Sequence, residues 1–177
     1  GARHSMGGQT RAANGVQLDL SALTAMRLEP SGDVVSVQSG ARFWQLLRYL
    51  DQRGASVRVM QSNSDFSIGG SLSVNCHGWQ PNSPPIASSV ESLRVLLSDG
   101  SVVTASREQE RELFSLVLGG DGLFGVILEA RLRVTKNRLL RKVTRELSTS
   151  AYVASFASAS AGADLAFGRL AVAPSVL

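Results

Sequence analysis

The chain has 177 residues, enough for one domain, or for one domain and part of a second. Its 44% hydrophobic and 18% charged residues are a globular composition, which excludes disorder over most of its length. The net charge of +4 comes from 18 Lys and Arg scattered among 14 Asp and Glu without a basic run, so nucleic acid is not an expected partner. No apolar run approaches the ~20 residues of a membrane span.

In chain order, Gly1 to Gly15 is rich in glycine and small polar residues and reads as loop. Val16 to Leu20 alternates apolar and polar residues, predicting a half-buried strand, and Ser21 is placed to cap a short helical turn through Met26. Val34 to Gln38 is β-branched at three positions and predicts a second strand. From Ala41 to Arg53 the apolar residues Phe43, Trp44, Leu46, Leu47 and Leu50 recur at helical spacing, and Gly54 follows where a C-terminal cap is needed. Phe43 and Trp44 are both expected in the core. Val57 to Val59 reads as a short strand.

Pro81, Pro84 and Pro85 mark an extended loop. Ser92 to Leu97 and Ser101 to Thr104 flank Ser98-Asp99-Gly100, a strong hairpin signal because Asp and Gly tolerate turn conformations. Arg107 to Leu118 predicts a helix with Leu113, Phe114 and Val117 on one face, broken by Gly119-Gly120-Asp121-Gly122. Val126 to Val134 predicts a strand. A boundary is expected near Lys136-Asn137, dividing 1–136 from 137–177. Beyond it, Leu139 to Leu147 reads as a strand, Ser150 to Ala159 as a helix and Phe167 to Val172 as a strand. The fold class is α+β, with antiparallel neighbours and helices laid on the sheet.

Two glycine loops carry the chemical information. The first is Gly1-Ala2-Arg3-His4-Ser5-Met6-Gly7-Gly8-Gln9, and the second runs from Ser67-Ile68-Gly69-Gly70-Ser71-Leu72 through Ser73-Val74-Asn75-Cys76-His77-Gly78. Successive backbone N–H groups in such loops form concavities that bind phosphate oxygens, and glycine lets a ligand approach the backbone closely. Ser5 and Ser71 supply further donors. Neither loop has the Gly-Lys-Ser/Thr of a P-loop or the GxGxxG spacing of the dinucleotide fold.

The first loop resembles the Gly-x-x-His-Ser segment of the FAD-binding domain in the vanillyl-alcohol oxidase and para-cresol methylhydroxylase superfamily. That superfamily includes the sugar-lactone and alditol oxidases, cytokinin dehydrogenase and the decaprenylphosphoryl-ribose oxidase. The second loop resembles its (Thr/Ser)-(Val/Ile)-Gly-Gly-x-Leu-x-x-Asn-x-x-Gly stretch. Ser89 to Gly100 resembles the hairpin that follows, and Glu112-Leu113-Phe114 with Gly119 to Ile127 resembles the closing glycine segment. The family's βαβ unit before the first loop has no counterpart, so the chain reads as a piece cut from a longer protein, with the start of a substrate domain at its end.

The resemblance implies a flavoprotein in which FAD lies between two α+β subdomains with its pyrophosphate on the two loops. Arg3, His4, Ser5, Gly7 and Gly8 would line one side. Gly69, Gly70, Ser71, Ser73, Asn75, His77 and Gly78 would line the other, and the backbone of Gly125, Val126 and Ile127 would meet the adenine end. His4 either joins the flavin covalently, as a histidine of this loop does in several members, or donates a hydrogen bond to phosphate or backbone. The implied activity is an FAD-dependent oxidoreductase acting on a small-molecule substrate, a hydroxyl of sugar, polyol or lactone type, by hydride transfer to FAD. An NADPH-driven reductase of the same fold and a non-catalytic FAD-binding piece are the alternatives. The catalytic acid and base are expected in the substrate domain.

The lone Cys76 rules out an internal disulfide and a CxxC metal site, and is expected as a small buried residue in a reducing compartment, with the cytoplasm favoured. His4 and His77 alone make no metal site. Trp79 is expected to pack beside the second loop, and Glu108, Glu110, Arg111 and Glu112 to form a solvated helix face.

Overall fold

A computed structural model describes His4, Ser5 and residues 13–171. Arg3, Gly7 and Gly8 of the first loop, and Val172 at the end of the last expected strand, lie outside the described residues. The architecture is α+β. Among the described residues six strands, all antiparallel to their partners, run β1 (Met26–Leu28), β2 (Val34–Gln38), β3 (Ala55–Val57), β4 (Val90–Leu96), β5 (Val102–Ser106) and β6 (Val126–Lys136). Four helices accompany them: α1 (Phe43–Asp51), α2 (Ile68–Ser73), α3 (Arg111–Val117) and α4 (Thr149–Ser160).

The sheet order is β1-β2-β6-β4-β5, with β3 on the far end of β6. The 11-residue β6 is the hub, since β2, β4 and β3 all pair with it. Its period-2 pattern decides the two faces. Ala130 and Leu132 stand opposite Val37 and Val35, all buried beneath the helices. Glu129, Arg131 and Arg133 point to the other face. There Arg131 grips Glu29 through two bonds of 2.7 and 3.0 Å, and Arg133 pairs with Glu91. A one-residue slip of β6 would bury these charges, so the pattern fixes the register.

Phe43, Leu46 and Leu50, spaced as one helical stripe, are the buried residues of α1. Trp44 is not in the core as expected but 45% exposed, because the position after Phe43 turns about 100° away from that stripe. Helix α3 is shorter than the expected Arg107–Leu118. Ser106 Oγ accepts the N–H groups of Glu108 and Gln109, closing a turn that delays the helix until Arg111. The hairpin forms as expected, with Gly100 at φ +87 and Asp99 Oδ1 accepting the Ser101 N–H at 2.9 Å.

Three expected strands are absent. Val16–Leu20 and Leu139–Leu147 are irregular and largely exposed, and Phe167–Ala171 is irregular through its described residues. Alternation makes a strand only where a neighbouring edge accepts its hydrogen bonds, and no described strand pairs with these segments. The expected helical turn from Ser21 through Met26 is a single hydrogen-bonded turn, Leu23 N–H donating to Leu20 O at 2.9 Å, and Met26 instead opens β1 by pairing with Val37. The third strand lies two residues earlier than expected, at Ala55–Val57. The helix beyond residue 148 is present as α4, capped by Ser148, but buries no residue.

Candidate cofactor site

The second glycine loop is not wholly a loop. Residues Ile68–Ser73 form the short helix α2, because Ser67 caps it and Ile68 and Leu72, four apart, are both fully buried. Its entry is held against α1. Phe43 and Trp44 donate to the carbonyls of Phe66 and Ser64 at 3.1 and 2.8 Å, and Ile68 donates to Ala41 at 2.8 Å. The first-turn N–H groups of α1, which have no partner within that helix, therefore fix the path of residues 64–68.

That path meets the first loop. The His4 ring lies 4.3 Å from the Phe66 ring, centroid to centroid, and its Nε2 is 3.5 Å from Asp65 Oδ2. Arg42 pairs with the other oxygen of Asp65. The Arg42 guanidinium holds the Asp65 carboxyl below the usual carboxylate range, with a smaller contribution from His4. Asp65 thus stays ionised and faces a histidine that is itself exposed to solvent. Ser5 is exposed beside it.

Each residue expected on the second side has a definite place. Gly69 donates to Ser39 O at 2.9 Å, and a Cβ there would sit 2.8 Å from Ser39 Cβ, so this glycine serves close packing. Gly70 is exposed, and a Cβ there would meet only Ser67 Oγ. Ser71 is 2% exposed and its hydroxyl accepts Gln61 Nε2 at 2.6 Å. Ser73 O accepts the Asp121 N–H, and Leu72 O the Gly119 N–H. Asn75, at φ 45, accepts the Ala87 N–H through Oδ1 at 3.1 Å. His77 is exposed, whereas Gly78 packs so closely that a Cβ would lie 2.0 Å from Met60 O. Trp79 stacks on Phe167 at 4.1 Å.

The closing glycine segment completes the group. Gly125 has φ +142 and no room for a side chain, since a Cβ would lie 2.5 Å from Val95 Cγ1. Val126 and Ile127 start β6 opposite Leu96 and Val95, and the side chain of Ile127 is buried. Two residues on, Leu128 O accepts the N–H of Ser39, the residue under Gly69. The fold thus gathers His4, the entry and exit of α2, Gly119–Asp121 and the start of β6 around one short helix.

Two buried polar atoms lack a hydrogen-bond partner among the described residues, Ser39 Oγ and Gln80 Oε1. Gln80 Oε1 lies against Gly78, and the backbone and Cβ of Ser39 lie against Gly69. Orphaned polar atoms are costly unless a ligand or water satisfies them: the Ser39 hydroxyl can donate to a ligand oxygen, whereas Gln80 Oε1 requires a donor. Sequence reasoning missed Asp65, Arg42, Gln61, Ser39 and Gln80. Arg42 and Asp65 are 23 residues apart, and no spacing rule joins them; only the Asn63-Ser64-Asp65 turn, closed by Asn63 Oδ1 on the Asp65 N–H, is visible locally.

A family model described as an FAD binding domain matches residues 1–106. The chain belongs to this FAD-binding-domain family. FAD is the cofactor of the domain, and its relatives are FAD-linked oxidoreductases. Cytokinin dehydrogenase 10 of Oryza sativa subsp. japonica is 36% identical over 143 residues, covering 76% of this chain and 26% of that protein. Cytokinin dehydrogenase 2 of Arabidopsis thaliana is 31% identical over 133 residues, covering 75% of this chain and 26% of that protein. D-arabinono-1,4-lactone oxidase of Eremothecium gossypii is 33% identical over 100 residues, covering 56% of this chain and 19% of that protein. The chain spans about a quarter of the length of the cytokinin dehydrogenases it matches.

Among the described residues of this FAD-binding domain, no group of three or more His, Cys, Asp or Glu is placed to hold a metal ion. No described helix is long and apolar enough to cross a membrane. Cys76 is buried, and burial pushes its thiol up to about 11, so it is protonated at neutral pH.

Proposed function

We propose that the protein oxidises a carbon bearing a hydroxyl, of sugar, polyol or lactone type, with FAD held in the two-subdomain manner of the vanillyl-alcohol oxidase superfamily. The observation that carries this reading is the gathering of His4, the second glycine loop and the closing glycine segment around α2 and its entry. Residues 1–136 are the FAD-binding domain, and the segment from 137 onward begins a substrate domain. The lactone oxidase relative supports the choice of substrate class.

When bound, FAD supplies the two-electron acceptor for the carbon–hydrogen bond beside that hydroxyl. The chain holds and orients it. Arg3, Gly7 and Gly8 would hold its pyrophosphate from the first loop, and the exposed Gly70, with Ser73 and His77, would do so from the second. Gly125, Val126 and Ile127 would offer backbone groups to its adenine. Asp65, kept ionised by Arg42, and the Phe66 ring flank the His4 imidazole, the group proposed to meet the flavin, covalently or through a hydrogen bond.

The test is the visible spectrum of the purified full-length protein before and after acid precipitation, followed by anaerobic addition of D-arabinono-1,4-lactone, an alditol or a cytokinin. Flavin retained in the pellet and lost in a His4→Ala variant is expected, together with bleaching by the lactone or alditol. Flavin released to the supernatant removes the covalent link, and bleaching by the cytokinin alone removes the substrate class. A protein that takes up no FAD overturns the reading.

A further inference from the structure

An open cleft of about 500 Å³ lies between the 3₁₀ turn Ile86–Ser89 and helix α3. This is within the usual range for small-molecule sites, roughly 300–1,000 Å³. Its polar lining consists of Asn75, Ser88, Arg107, Arg111 and Ser115, with Phe114, Leu118 and Ala87 between them. Two cations line it, and no carboxylate does.

The state of these groups separates scaffold from receptor. Arg107 is scaffold: it donates to the carbonyls of Val90 and Ala87, and its guanidinium lies 5.3 Å from the centre of the Phe114 ring. Asn75 is half scaffold. Its Oδ1 is occupied by the Ala87 N–H, which leaves both Nδ2 protons to donate. Arg111 forms no ion pair or hydrogen bond among the described residues, although Glu110 and Glu112 flank it in sequence. Glu108, the other nearby acid, is bonded to Ser106 Oγ. The hydroxyls of Ser88 and Ser115 are likewise without a partner there.

The cleft therefore offers an amide, two hydroxyls and a guanidinium, all able to donate, around one concavity. A planar carboxylate would use about two of them, whereas the tetrahedral oxygens of a phosphate can engage all four. The space greatly exceeds a phosphate, and Leu118 and Ala87 give the remainder an apolar wall. We infer that this cleft is a second ligand site, separate from the flavin cradle, that takes the phosphate monoester of a small organic molecule. Asn75, at the exit of α2, joins the two sites. Its Oδ1 ties the 3₁₀ turn to the second glycine loop, so a ligand on Nδ2 reaches that loop through one side chain.

The experiment is calorimetric titration of the full-length protein, first saturated with FAD, with phenyl phosphate, inorganic phosphate and phenol. FAD saturation is essential because FAD itself carries a phosphorylated nucleoside. Saturable binding of phenyl phosphate is expected, with weaker binding of inorganic phosphate and none of phenol. Arg111→Ala should weaken binding about tenfold or more, since it removes a charge-assisted bond. Ser115→Glu, which places a carboxylate in the cleft, should abolish it. Both residues are exposed, and the flavin spectrum reports whether each variant is folded. Phenyl phosphate binding that is absent, unchanged in both variants, or lost on FAD saturation would overturn the proposal; the last result would assign the cleft to the flavin.

Discussion

Adjacent glycines in one motif need not be there for the same reason, and Gly69 and Gly70 make the difference measurable. A Cβ at Gly69 would lie 2.8 Å from Ser39 Cβ and 3.2 Å from Ser39 O, with the Ser39 backbone pinned to Leu128 by a 3.0 Å bond. Neither neighbour can yield without moving the end of β2, so Gly69→Ala should cost about 1–3 kcal/mol, the usual range for overpacking. A Cβ at Gly70 would meet only Ser67 Oγ at 3.0 Å, the end of the capping side chain, which can give by a few tenths of an ångström while still accepting the Gly70 N–H, and Gly70 has ordinary helical geometry in α2. In an exposed helix Ala is better than Gly by about 0.5–1 kcal/mol, so Gly70→Ala should leave the apo-protein as stable or raise it by that amount. For a protein of this size that is a rise of about 2–4 °C in melting temperature. The same methyl would stand where FAD is expected to approach, so affinity for FAD should fall at least tenfold. Denaturant unfolding of apo-protein and fluorescence titration with FAD measure the two effects independently. The reasoning fails if Gly70→Ala destabilises the apo-protein as much as Gly69→Ala, or if it binds FAD as tightly as the parent.

Burial raises the Cys76 thiol from its ordinary value near 9 to about 11, so the folded state holds a proton that the unfolded chain releases between those values. Its contribution to stability is full below pH 9 and falls as pH rises through 11; the denaturation midpoint should drop between pH 8.5 and pH 10.5, and less so in Cys76→Ala. Native protein at pH 8 should also react with iodoacetamide far more slowly than unfolded protein, and equal rates would contradict the buried placement. Leu46→Ala, at a fully buried position of α1, should cost about 2–5 kcal/mol by urea unfolding, whereas Trp44→Ala on the same helix should cost under half of that.

The amino-acid sequence by itself determined the elements whose signals are local. The stripe of Phe43, Leu46 and Leu50 makes α1, Asp99-Gly100 makes the hairpin, and the alternation of β6 separates a buried face from a charged one. It also carried the family, because glycines at fixed offsets mark the positions where the backbone turns or where a Cβ has no room. What it could not carry were decisions made between distant residues. Val16–Leu20 and Leu139–Leu147 have the alternation of strands and yet are not strands, since alternation describes a half-buried surface and cannot supply the partner edge. The second glycine loop became a helix because Ile68 and Leu72 found the core. The clearest case is Asp65. Its neighbours mark only the turn closed by Asn63, and the fold alone, by laying residues 64–68 along the start of α1, brings it between Arg42 and His4. Local chemistry can choose a turn or a helix, but two charges far apart in sequence meet only when the tertiary fold closes the chain between them.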